Sequence, residues 1–226
     1  LGVSDATDDE TQRKRIEGAM PNPPSEKVRR EIVELQSVTI SINREISGLI
    51  LPADRRLRMA LGCLDLAVEI QSGIAVLADQ PLWGPAFALV RSLFESLIRG
   101  IWLARYASED QLTWFQTGDL GNRKTFAELV TEVEKSLGHS GETLTRLRKS
   151  SWAILNDFTH SGFQHVVRRN SETSTGPNYP DQELIQMLRA SASLGLLAAI
   201  EMMDLSNHHD VSARLLVEAK RFSATG

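Results

Sequence analysis

Apolar residues recur at intervals of three and four along almost the whole chain, and strict alternation is nearly absent. Intervals of three and four are the period of a helix, not of a strand. Ile32, Leu35, Ile42, Ile46 and Leu49 form one stripe and predict a first helix over about 26–49. Pro52 closes it, and Asp54 is placed to cap a second helix over about 54–79. "DQPLWGP" is a short loop, because its prolines and glycine stop both neighbours. A third helix follows over about 85–107, then a short fourth capped by Ser108. A fifth runs over about 122–137 and a sixth over about 141–160, separated by "GHSG". "FQHVVRR" adds a turn beyond Gly162, and "NSETSTGPNYP" is a loop. Asp181 is placed to cap a long helix reaching about Ser206, and the last helix covers about 209–222. The pattern predicts an all-α fold, an irregular bundle of six to eight helices. Residues 1–25, polar and ending in prolines, are expected to be disordered, and 26–226 to form a single helical-bundle domain.

The third helix breaks the rule that a buried helix is free of charge. "AFALVRSLFESLIRGIWLARY" has a broad apolar arc through Phe87, Val90, Leu93, Phe94, Leu97 and Ile101. Ala88, Ser92, Ser96 and Gly100 make a small-residue seam that lets a second helix come close. Between these surfaces Arg91, Glu95 and Arg99 recur every four residues, accompanied by Trp102. On an exposed face such a row is worth a few tenths of a kcal/mol per pair. Taken from water, the same charges must be paired and hydrogen-bonded. The second reading makes Arg91, Glu95, Arg99 and Trp102 candidate binding residues: a carboxylate between two guanidinium groups, bracing a polar hollow that His160 can reach.

A second constellation lies in "SWAILNDFTHSGFQHVVRRN". Trp152, Asn156 and His160 share one side of the sixth helix, away from the stripe of Leu144, Leu147 and Ile154. An indole, an amide and an imidazole on an outward strip suit a subunit interface or a ligand site. The plainer alternative is a histidine that suits a helix C-terminus through the dipole. Arg168 and Arg169 add local positive charge.

Composition narrows the rest. With 25 basic and 29 acidic residues the net charge is −4, so no global field draws nucleic acid; only a local cluster could. The single cysteine, Cys63, excludes an internal disulfide and reads as a small buried hydrophobe in a reducing cytoplasm. His160 and His165 lack the further ligands that zinc needs, so no metal is assigned, and no cofactor. No phosphate loop, nucleophile elbow or dinucleotide fingerprint is present. The most apolar run, residues 190–205, falls short of a membrane span and contains Glu201 and Asp204.

"ALVRSLFESLIRGIWL", followed by "LNDFTHSG" and "VVRR", resembles a group of uncharacterised bacterial helical proteins known only as a domain of unknown function. That group is similar in turn to the HEPN class of helical bundles. The resemblance covers about residues 55–205 and implies a homodimer in a toxin–antitoxin or phage-defence setting. Active HEPN ribonucleases carry an arginine, a polar residue and a histidine four to six positions beyond the arginine. Laid on this chain, the polar residue is Asn156 and the histidine His160, which makes them the candidate catalytic pair. The arginine position holds Leu155, so the cation would have to come from Arg91, Arg99 or Arg168. The leading expectation is therefore a binding or regulatory module for RNA, a nucleotide or a partner protein. The alternatives are a metal-independent ribonuclease and a purely structural interaction protein.

Overall fold

A computed structural model describes residues 23–50, 53–136, 143–171 and 175–223. Among the described residues it is all-helical, with 81% helix and no strands; a lone bridge joins Asn170 to Thr175. Among the described residues there are ten helices: α1 Glu26–Ile46, α2 Arg55–Asp79, α3 Trp83–Arg105, α4 Glu109–Gln116, α5 Leu120–Arg123, α6 Phe126–Ser136, α7 Thr143–Thr159, α8 Phe163–Val167, α9 Asp181–Leu205 and α10 His209–Ser223. The count exceeds the expected six to eight because two pieces are only four and five residues long, α5 and α8. The expected fifth helix is divided into α5 and α6, because Lys124 is extended and Thr125 starts a new cap. Up to residue 22, the expected disordered segment lies outside the described residues; Ser25 caps α1 by accepting from the Val28 amide.

Local side-chain caps start α1, α2, α4 and α6. Asp54 accepts from the Leu57 amide at 2.8 Å, and Ser108 forms a reciprocal box with Gln111. The expectation for Asp181 is corrected: it is the first residue of α9, Pro180 holds the cap position, and no side-chain cap bond forms there. A proline one position ahead, with its fixed φ, starts the helix without one. At α7 the cap comes from another helix, since Glu134 of α6 accepts from the Leu144 and Thr145 amides at 2.7 and 3.2 Å.

Helices α1, α2, α3 and α9 form the main body. α2 and α3 run antiparallel, with Gly73 beside Leu89 and Gly100 against Leu64 and Ala60. Close approach is built in at Gly100, where a Cβ would stand 2.6 Å from Leu64 Cγ and 3.1 Å from the Ala60 carbonyl oxygen. Ser96, one turn earlier, is buried as well. α9 lies across α1, α2 and α3, pinned by Arg189 to Glu31 and by Arg105 to Glu201. Their inner faces form one contiguous apolar core that includes Phe94, Leu97, Ile98, Met187 and Leu196. α2 and α9 have the length and composition to cross a membrane, which corrects the shorter estimate for the 190–205 run; half or more of their most apolar windows is buried inside the bundle. α7 packs on the outer side of α3, antiparallel to it, and is held on its other flank by α6.

Candidate functional site

The α3–α7 pairing brings the two sequence constellations together. Glu95, with 14% of its side chain exposed, bridges Arg91 Nε at 2.8 Å and Arg99 NH2 at 2.7 Å. The i,i+4 spacing provides this arrangement, and partial burial means that the carboxylate holds both cations in place of water. From α7, Asn156 Oδ1 accepts a short hydrogen bond from Arg91 NH1. The same nitrogen lies 3.0 Å from His160 Nε2. A guanidinium only donates, so Nε2 presents its lone pair and the imidazole proton sits on Nδ1. The Arg91 guanidinium carbon also rests 4.7 Å from the centre of the Trp152 ring, which stacks on Phe126. Arg91 is thus fixed by a carboxylate, an amide, an imidazole and an aromatic face. The side chain as a whole is 21% exposed, and among the described residues its NH2 group has no partner.

The turn after His160 explains the "THSG" run. Thr159 Oγ1 donates to the Leu155 carbonyl at 2.8 Å and to Ala88 on α3 at 3.4 Å. Ser161 takes a positive φ of 55°, reversing the chain. Gly162 must lack a Cβ, because one would stand 2.5 Å from Asp157 Oδ1. Asp157 Oδ2 then accepts from the Gln164 amide at 3.0 Å and starts α8. His165 is fixed differently: its Nδ1 donates to the Phe158 carbonyl at 2.9 Å, and its ring packs on Phe158. It takes no part in the cleft.

Three further candidates lie elsewhere. Trp102 is corrected from a binding residue to a core one: it is fully buried, and its Nε1 donates to Glu132 at 2.6 Å. The helical wheel puts Trp102 at the edge of the apolar arc, and α6 closes over that edge. Arg168 is corrected from free positive charge to a clamp. Its Nε and NH2 reach Glu183 at 2.5 and 2.6 Å, and its guanidinium lies over Phe158, so α8 is tied to the start of α9. Arg169 is exposed in the loop beyond α8 and does not join the Arg91 cluster. Among the described residues no group of three or more His, Cys, Asp or Glu side chains could hold a metal ion. Cys63 lies near Arg99, but burial dominates and pushes its thiol up to about 11, well away from a reactive thiolate.

Two cavities flank the cleft. One, of 440 Å³, is apolar and lies between α3, α7 and α9, lined by Phe87, Phe94, Leu155, Phe158 and Met187. The other, of 360 Å³, lies on the α4–α6 side and contains Arg99, Lys124, Phe115 and Phe126. The aromatic wall formed by Trp152 and Phe126 escaped the sequence reading, because Phe126 belongs to a helix whose placement no local pattern fixes.

An all-helical bundle with an Arg–Glu–Arg bridge facing an Asn–His pair is the class that this fold and site define. The chain belongs to a family of unknown function, DUF6988, whose model matches residues 64–225. That match takes in every residue of the cleft and begins inside α2. No curated protein and no solved structure matches the chain.

Proposed function

We propose that the chain is a cytoplasmic bacterial binding and regulatory protein whose α3–α7 cleft receives a phosphate of RNA or of a nucleotide. The observation that carries this reading is the environment of Arg91. Two guanidinium groups share one carboxylate, which leaves a net positive charge in a half-buried cleft, with the Arg91 NH2 edge unpartnered among the described residues. Guanidinium groups fixed in advance suit the planar oxygen pairs of a phosphate. The HEPN resemblance supports a toxin–antitoxin or phage-defence role. It also supports a homodimer, for which α8 offers Phe163, Val166 and Val167, exposed by 74%, 49% and 41% and adjacent in sequence to His160.

One observation favours a second reading, a metal-independent endoribonuclease. The His160 lone pair sits beside a cation, the pairing that 2′-hydroxyl attack needs. Phosphate binding at Arg91 would free Nε2 to take the 2′-hydroxyl proton. The 2′-oxygen then bonds to phosphorus, the P–O5′ bond breaks, and the 5′-oxygen takes a proton from water.

Incubation of the purified chain with single-stranded RNA in excess chelator tests both readings. Binding without cleavage, lost in Arg91→Ala with folding intact, is the expected result. Cleavage that disappears in His160→Ala establishes the enzyme instead. No binding and no cleavage at high protein concentration leaves only a structural interaction protein. Light scattering checks the dimer, which Phe163→Asp should convert to a monomer.

A further inference from the structure

The second cavity, of 360 Å³, shares Arg99 with the phosphate cleft and is lined on other sides by Phe115, Phe126, Lys124 and the glycines Gly118 and Gly121. Phe126 joins the two spaces physically, since one ring both lines the cavity and stacks on Trp152 at 4.7 Å. Arg99 joins them electrostatically, through the carboxylate it shares with Arg91. The cations are anchored from behind: Glu95 takes one nitrogen of Arg99, and Glu132 accepts from Lys124 Nζ at 2.7 Å. Each retains further N–H donors, because a guanidinium carries five and an ammonium three. Both glycines line the cavity and are exposed, and a Cβ on either would stand in open space.

A flat ring placed against phenylalanines, with two cations at the edge, is the chemistry that accepts an unpaired nucleobase and the phosphate next to it. The larger apolar cavity lacks this selectivity, since its one carboxylate, Glu183, is already engaged by Arg168. We infer that the Arg99–Lys124 cavity takes one unpaired nucleotide next to the phosphate held at Arg91, so that the ligand is a single strand of RNA at least two nucleotides long. This inference rests on the phosphate reading of the Arg91 cleft. A paired strand would not satisfy the cavity, because its bases are stacked and turned inward.

The test uses the full chain and two labelled five-residue RNA probes, one an ordinary single strand and the other abasic with the same sugar–phosphate backbone. Expected is at least tenfold tighter binding of the base-bearing strand. Phe115→Ala, which removes a wall, and Gly121→Trp, which adds bulk at the exposed glycines, should each bring that preference to within about twofold while abasic binding holds. Melting curves confirm that both variants fold. Equal affinity of the wild type for the two probes overturns the inference, as does a preference that survives both variants. Abasic binding that disappears in Arg91→Ala supports the cleft independently of the cavity. A base-bearing strand whose affinity falls in Phe115→Ala but not in Arg91→Ala would retain the nucleobase cavity and reject the cleft.

Discussion

At the scale of the residue, Glu95 is the point on which the cleft depends. Among the described residues it is the carboxylate that pairs with both Arg91 and Arg99, and its removal leaves two partly buried cations without their counter-charge. Glu95→Ala should cost about 2–4 kcal/mol in a denaturant melt, against under about 1 for an exposed pair. Cys63 makes a separate prediction. Its ordinary pKa of 9.0 is raised to about 11 by burial, so its thiolate is about a hundredfold scarcer near pH 8. Iodoacetamide should label the native chain about a hundredfold more slowly than the denatured one, read by mass spectrometry over time. These residues differ in how much of their role the sequence shows. The four-residue spacing of Arg91, Glu95 and Arg99 puts the bridge on one helix, where local geometry alone builds it. Trp102 shares that stretch, but its burial depends on α6, whose arrival is a tertiary event that no periodicity records.

At the scale of the element, helix stripes and caps follow from neighbours along the chain. Asp54 and Ser108 therefore mark true starts. The break between α5 and α6 is local as well, since Thr125 and Glu128 cap α6. The start of α7 is held from farther away, by a carboxylate ten residues earlier in a different helix. Of the small residues at intervals of four, Gly100 meets α2 in close contact, whereas the Ala88 carbonyl accepts from Thr159 of α7. Gly100→Ala should destabilise the bundle by roughly 1–3 kcal/mol, because Leu64 and the Ala60 carbonyl are both in the way. A urea melt superimposable on wild type would show that the helices can part without loss.

At the scale of the whole molecule, ion pairs cross between helices that are far apart in sequence: Glu31 with Arg189, Glu45 with Arg214, Arg56 with Glu109, and Arg105 with Glu201. Sequence alone shows the charges but not the partners, which explains how Arg168 could be read as available when Glu183 already holds it. Carboxylates also set the response to acid. At Glu132 burial opposes ionisation, but the bonds from Lys124 and Trp102 outweigh it and hold the pKa below its ordinary 4.5. Bonds from Arg123 lower Asp119, and bonds from Arg214 lower Asp210, each below its ordinary 3.8. A folded pKa below the unfolded one means that the unfolded chain binds more protons in acid. Stability should therefore be level above about pH 5 and fall as pH drops below 4.5, checked by urea midpoints between pH 3 and 7.

The position of Trp152 also makes the cleft an optical gauge. Its indole lies between a guanidinium and a phenyl ring, so any anion that draws Arg91 away alters the electric field on that chromophore. Trp83 is buried in the core, Trp102 lies under Lys124 and Trp114 faces Arg123, so Trp152 is the indole that meets Arg91. The part of an RNA-induced shift in tryptophan emission that is lost in Trp152→Phe would report occupancy of the cleft without any attached dye.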